Sequence, residues 1–174
     1  MKNIYNYKMN ELENYFININ EKKYKATQVF EWLYQKRVNS FLEMSNIKKD
    51  VINKLNEDFV ITDLKIIDKQ EDIDVVKYLF LLDDGNKIEA VLMKHDYGNS
   101  LCVSSQVGCN MSCAFCESGR LKKVRNLETY EMAQQVVLVS KYVERRIDSV
   151  VVMGIGEPFD NFDNVMDFIR IIND

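Results

Sequence analysis

The chain opens with apolar positions at helical spacing. Leu12, Tyr15, Phe16 and Ile19 recur at intervals of three and four, the repeat that gathers side chains on one helix face. Ala26, Val29, Phe30, Leu33 and Tyr34 repeat it and predict a helix with its body over Thr27 to Arg37. Val51, Ile52, Leu55 and Phe59 predict a third helix, with Ser45 and Asn46 as its cap region. Phe30 is expected in the packed interior, whereas Trp32 falls on another face and is expected near solvent.

After about residue 60 the period changes. Ile61 to Ile66, Val75 to Leu82 and Lys87 to Met93 read as strands, and Asp83-Asp84-Gly85-Asn86 reads as a hairpin turn because Gly and Asn tolerate positive φ. These segments predict an antiparallel meander. Ser100 to Ser104 is a further strand, followed by a helix (Thr129 to Arg145), a very apolar strand (Ser149 to Met153) and a last helix (Asn164 to Ile172). Strand, loop, helix, buried strand, helix is the grammar of a parallel sheet. The fold class is therefore α/β: a helical domain over 1–60, a β meander over 61–97, and two βα units over 98–174.

Composition removes several alternatives. With 47% hydrophobic residues, six Gly and one Pro in 174 positions, the chain can bury a core and is not low-complexity or linker-dominated. No apolar run approaches the ~20 residues of a membrane helix. Lys8, Glu11 and Glu13 interrupt the first sixteen residues, which do not read as a secretory signal. A net charge of -4 and a pI near 5.2 exclude an overall basic coat for nucleic acid. The charge is uneven, however: residues 1–60 carry 10 basic and 8 acidic side chains, and residues 61–100 carry 5 and 9. Arg120, Lys122, Lys123 and Arg125 fall within six residues, so an anionic partner would be met locally, although by itself such a run reads as a solvated loop.

All four cysteines, Cys102, Cys109, Cys113 and Cys116, lie within fifteen residues. Disulfide staples stabilise by closing long loops, so frameworks of that kind spread their cysteines along the chain. Clustering without a signal segment points to a reducing, cytoplasmic setting and to metal or catalytic use. Cys109, Cys113 and Cys116 form C-x3-C-x2-C, a soft donor set for either zinc, with Cys102 as a fourth ligand, or an iron–sulfur cubane with one iron left open. A second motif, Met153-Gly154-Ile155-Gly156-Glu157-Pro158, directly follows the second parallel strand, where open α/β sheets bind ligands.

Together these motifs resemble the radical S-adenosylmethionine (SAM) superfamily. The surrounding words narrow the likeness to its RNA adenine methyltransferases: Tyr97 to Cys109 (YGNSLCVSSQVGC), Arg125-Asn126-Leu127, Met153 to Asn161, and Ala26 to Leu33 with Lys36. That family methylates carbon 2 of an adenosine in 23S rRNA and, in some members, in tRNA; a sibling methylates carbon 8 and confers antibiotic resistance. The resemblance implies an incomplete radical SAM (βα)6 partial barrel behind a helical RNA-docking domain. It implies Cys109, Cys113 and Cys116 as ligands of a [4Fe-4S] cluster, and Gly156 and Glu157 as part of the SAM site. Cys102 matches the cysteine that resolves a protein–RNA adduct through a transient disulfide, and Glu89 matches the carboxylate that accepts the proton at the target carbon. From the residues alone, Glu89 reads as an exposed strand position and Cys102 as a small buried hydrophobe. An external electron donor, a monomeric enzyme and no membrane partner complete what the likeness implies.

The chemistry accounts for these residue types. Carbon 2 of adenine is not nucleophilic, so the family works through a methylated cysteine that becomes covalently bridged to the base. A thiol and a base must undo that bridge, and the thiol needs some thiolate character, which the run Arg120, Lys122, Lys123 and Arg125 is expected to supply to Cys102. Two departures stand out. The family shows Ala-Thr-Gly-x-x-Gly after the third cluster cysteine, where this chain has Glu117-Ser118-Gly119-Arg120-Leu121-Lys122, and Ser112 replaces a common Gly. The methyl-carrying cysteine and four further βα units are not among these residues, so the expectation is an amino-terminal fragment, inactive alone.

Overall fold

The computed structural model describes all 174 residues, which form two compact units: residues 1–63 with 167–174, and residues 64–166. In the first, β1 (Lys2–Asn3) pairs in parallel with β2 (Phe59–Val60), and three helices follow one another: α1 (Met9–Asn18), α2 (Tyr24–Phe30) and α3 (Lys49–Asp58). Glu11 caps α1 by accepting from the Lys8 backbone N–H at 2.9 Å, and the Lys8 ammonium pairs with Asp167 at 2.9 Å. Leu12, Phe16, Ala26, Val29, Leu33 and Leu55 are wholly buried, so the helical repeats do mark the core face. Apart from Ala26, each of these side chains contributes roughly 1.5–3 kcal/mol of burial. α2 runs on into a single π turn, Glu31–Gln35, which ends at Arg37 with φ +55°. Phe30 is buried, as expected, and Trp32 is half-buried rather than exposed. Asn46 does not cap α3, whose N-cap is Lys48; its side chain instead accepts the Trp32 indole N–H at 2.5 Å.

The second unit is built on a five-stranded sheet of order β3-β4-β5-β6-β9. Its members are β3 (Lys65–Glu71), β4 (Val75–Leu81), β5 (Lys87–His95), β6 (Gly98–Cys102) and β9 (Ser149–Val151). Between the last two come a small ribbon of β7 (Gln106–Val107) with β8 (Arg125–Asn126) and the helix α4 (Thr129–Tyr142). The meander and the first parallel pair thus share one sheet: β3, β4, β5 and β6 are antiparallel neighbours, and β6 runs parallel to β9 with Leu101 opposite Val150. The last helix, α5 (Phe162–Asn173), begins in this unit.

The hairpin turn forms where the sequence places it. Gly85 has φ +84°, and the Leu82 N–H donates to the Asn86 carbonyl at 2.9 Å. The first strand differs: it starts at Lys65 rather than Ile61, because pairing of Lys65 with Leu81 on β4 fixes its beginning. As an edge strand it is almost wholly solvated, so its polar alternation left no readable apolar face. One side of the sheet, with Val76, Tyr78, Phe80, Ile88, Ala90, Leu92, Leu101 and Val103, is buried, and Tyr142 at the end of α4 packs edge-on to Tyr78 at 5.7 Å. The opposite side carries Lys77, Leu79, Glu89, Val91, Cys102 and Val151, all half-buried. No helix is long and apolar enough to cross a membrane.

Candidate functional site

β6 delivers the chain into a polar segment, Ser104-Ser105-Gln106, that is fully buried. The Ser104 hydroxyl donates to the Glu89 carbonyl at 2.6 Å and accepts from the Ile155 N–H at 3.0 Å, while its backbone is held at both ends by the Gln135 amide of α4. Asn161 donates to the carbonyls of Ser105 and Leu127 at 2.9 and 2.8 Å. Buried polar groups must be paired, and here the pairing ties four sequence-distant segments to one another.

Beyond Gln106 the β7–β8 ribbon closes the base of the cysteine loop. The Cys109 N–H donates to the Leu121 carbonyl at 2.9 Å, and the Val124 N–H to Val107 at 2.7 Å. Gly108 has φ +72°, and a Cβ there would collide with the Lys122 carbonyl oxygen, so only glycine fits. Ser112 takes φ +49°, the left-handed conformation that explains why glycine suits this place. A Cβ at Gly119 would meet the Ser112 Cα at 3.1 Å, whereas Lys122, in place of the second glycine of the resembled motif, does not take a positive φ.

Cys109 is buried, Cys116 half-buried and Cys113 exposed, and all four cysteines are free thiols. The three loop sulfurs are not gathered into one group of metal ligands. The donor set nevertheless fits an iron–sulfur centre: three free thiols on one anchored loop, with Cys113 and Cys116 accessible from solvent. Cys102 lies on the sheet, outside that loop.

The Gly154–Glu157 turn follows β9 and packs on the same polar segment. The Gly154 N–H donates to the Val103 carbonyl at 3.0 Å, and a Cβ at this glycine would meet that oxygen at 2.7 Å. Gly156 has φ +118°. The Glu157 N–H donates to the Gln106 side-chain oxygen at 2.9 Å, and its half-buried carboxylate accepts from the Phe159 N–H at 3.0 Å.

Glu89 and Cys102 sit on the half-buried side of the sheet. The Glu89 carboxylate pairs with the Lys77 ammonium at 3.2 Å and borders a small polar cleft with Asp68, Gln70 and Leu79. Burial pushes the Cys102 thiol above its ordinary pKa, only partly offset by a hydrogen bond from the Met153 backbone. The basic run does not supply the expected positive field. Arg120 pairs with Glu117, Lys123 with Asp160, and Arg125 with Asp84 and the buried Glu131, so most of these charges are neutralised where they stand.

The sequence reading missed Ser104, Gln106, Asn126, Gln135 and Asn161. A signal existed for the first two: a polar run between a buried strand and a Gly-Cys pair must have buried partners.

Known proteins match both halves of this arrangement. The family profile described as the ribosomal RNA large subunit methyltransferase N-terminal domain matches residues 2–61, and that of a 4Fe-4S single cluster domain matches residues 98–174. A protein of Spiroplasma citri named "Probable dual-specificity RNA methyltransferase RlmN" is 53% identical over 178 residues, covering 100% of this chain and 52% of that relative. Along its whole length the chain is thus similar to about half of an RNA methyltransferase. A Streptococcus mutans protein with the same name is 53% identical over 177 residues, covering 98% of this chain and 49% of that relative. The crystal structure of a radical SAM methyltransferase from Sphaerobacter thermophilus superposes with a TM-score of 0.88 at 31% identity, covering 100% of this chain and 52% of that one. The chain therefore spans about half the length of the relatives it matches. The likeness to a 4Fe-4S single cluster domain and to a radical SAM methyltransferase implies a [4Fe-4S] cluster and SAM as cofactors.

Proposed function

We propose that this chain carries the cluster-binding and SAM-binding half of an enzyme that methylates carbon 2 of an adenosine in 23S rRNA and in tRNA. On this reading residues 1–60 dock the RNA, residues 61–97 are the connecting meander, and residues 98–174 open the catalytic barrel. The enzyme works as a cytoplasmic monomer fed by an external electron donor. The observation that supports it most is the placement of Glu89 and Cys102 on one side of the sheet, beside the strand end that leads into the cysteine loop.

Cys109, Cys113 and Cys116 would hold the cluster, and the Gly156–Glu157 turn would hold the amino group of SAM. When bound, these groups supply the one-electron chemistry that a non-nucleophilic carbon requires. Glu89 takes the proton from the target carbon. The Cys102 thiolate then attacks the sulfur that bridges enzyme and base: a disulfide forms, the carbon–sulfur bond breaks toward the base, and protonation leaves a methyl group. The bridging cysteine belongs to a later part of the family's chain. Because burial raises the Cys102 pKa, a base must remove its proton during turnover.

The test uses the full-length enzyme with Cys102→Ala and a 23S rRNA fragment. A covalent protein–RNA adduct should accumulate, and the wild-type product should elute as 2-methyladenosine. Free turnover by the variant, or 8-methyladenosine as product, would overturn the reading.

A further inference from the structure

Gln106 is wholly buried and unites the two motifs on which the preceding reading rests. Its side-chain oxygen accepts from the Glu157 N–H at 2.9 Å. Its side-chain nitrogen donates to the Asn126 side-chain oxygen at 2.8 Å, and Asn126 donates in turn to the Asp160 carbonyl at 2.9 Å. The backbone of Gln106 pairs with Asn126 in the ribbon that closes the cysteine loop, and its N–H donates to the Ile155 carbonyl at 3.1 Å. Contact completes the link: a Cβ at Gly156 would strike the Gln106 Cβ and Cγ at 2.7 and 2.8 Å.

We infer that Gln106 is a positioning residue that fixes the Gly156–Glu157 turn relative to the base of the cysteine loop. One planar amide spans the two segments, with its acceptor on one and its donor on the other. An amide serves both partners where a carboxylate would serve one, because the Asn126 group facing Gln106 is an acceptor oxygen. Gly154 and Ile155 are held by bonds to Val103, Ser104, Ser105 and the Gln106 backbone, whereas the Glu157 N–H takes the Gln106 side-chain amide as its partner, so that amide determines where the Glu157 backbone lies. The glycine at 156 is the counterpart of this packing, since its positive φ and lack of a Cβ let the turn close on the Gln106 stem. The inference rests on the assignment of Gly156 and Glu157 to SAM, and the experiment separates the two.

Three variants are compared in the full-length enzyme: Gln106→Met, which keeps the shape and loses both bonds; Gln106→Glu, which keeps the acceptor for the Glu157 N–H; and Glu157→Ala. Amide hydrogen exchange at Glu157 and SAM affinity by anaerobic equilibrium dialysis are read together with iron content. Gln106→Met should speed exchange at Glu157 and weaken SAM about tenfold, the loss of one buried hydrogen bond. Gln106→Glu should keep Glu157 protected and weaken SAM less, with iron content unchanged in both. Equal weakening by the two Gln106 variants, or no effect of Gln106→Met on exchange and affinity, overturns the inference. Unchanged affinity in Glu157→Ala instead overturns the SAM assignment, while the exchange comparison still decides the role of Gln106.

Discussion

Glu89 lies diagonally across the sheet from Cys102. Val91 is the residue opposite Cys102, and Glu89 stands two positions earlier on the same strand, so both side chains leave the sheet on one face. Lys77 is opposite Val91 on the other flank and pairs with Glu89 along the matching diagonal. Acid, thiol and ammonium thus share one half-buried surface.

The Lys77–Glu89 pair contributes little to stability. Both side chains remain 39% exposed, and ion pairs in that setting contribute under about 1 kcal/mol. Lys77→Met should leave the urea midpoint almost unchanged, and a loss of several kcal/mol in equilibrium unfolding would refute this.

Arg125 is a different case. It forms a two-pronged pair with Glu131 at 2.7 and 2.8 Å, and the Glu131 side chain is only 2% exposed. Arg125→Met leaves that carboxylate buried without its cation, which should cost about 3 kcal/mol. Lysine cannot reproduce the fork, so Arg125→Lys should recover only part of the loss in the same denaturant series.

The Arg125 guanidinium also donates to Asp84 at 2.6 Å and, with the Asn86 groups, holds its carboxyl far below the ordinary carboxylate range. A depressed folded-state pKa stabilises above the unfolded value, about pH 4, and that contribution fades as pH falls below it. Asp84→Asn should therefore flatten the acid limb of a stability–pH curve while shifting its neutral plateau slightly downward. An unchanged slope between about pH 5 and pH 2.5 would contradict the assignment.

Cys102 should react slowly with alkylating agents near neutrality, since burial raises its pKa. Site-resolved mass spectrometry with iodoacetamide should place its midpoint above the free-thiol value of about 8.5. Lys122→Ala and Lys123→Ala should not move it. A midpoint below that of a free thiol would restore the electrostatic activation that the ion pairs argue against.

Gly108 supports the cysteine loop through contact alone. Gly108→Ala would push a methyl group into the Lys122 carbonyl from a backbone at φ +72°. Iron retained after anaerobic reconstitution should fall several-fold, with the β-sheet circular dichroism preserved. Wild-type iron content would show that the loop can reform without this approach.

Much of this was legible along the chain. Leu12, Phe16, Val29 and Leu33 announce their helix faces by spacing, and Asp84-Gly85-Asn86 announces its turn, because period and turn chemistry are local properties. The cysteine spacing and the Gly154–Glu157 words likewise identify the family from adjacent residues. Other features depend on partners far away in sequence. β3 begins at Lys65 because Leu81 lies opposite, and an exposed edge strand carries no apolar pattern to reveal it. The basic run, expected to lend Cys102 a positive field, is largely neutralised by Asp84, Glu131 and Asp160, which folding brings against it. Gln106 stands in the sequence only as part of a polar run, and its partners Glu157 and Asn126 reach it through folding. The sequence by itself determined which chemical groups the protein carries, since composition and spacing are written in one dimension. Only the tertiary structure decided which charges are neutralised, which thiol is desolvated and which amide joins the two motifs, because burial and pairing arise when distant segments meet.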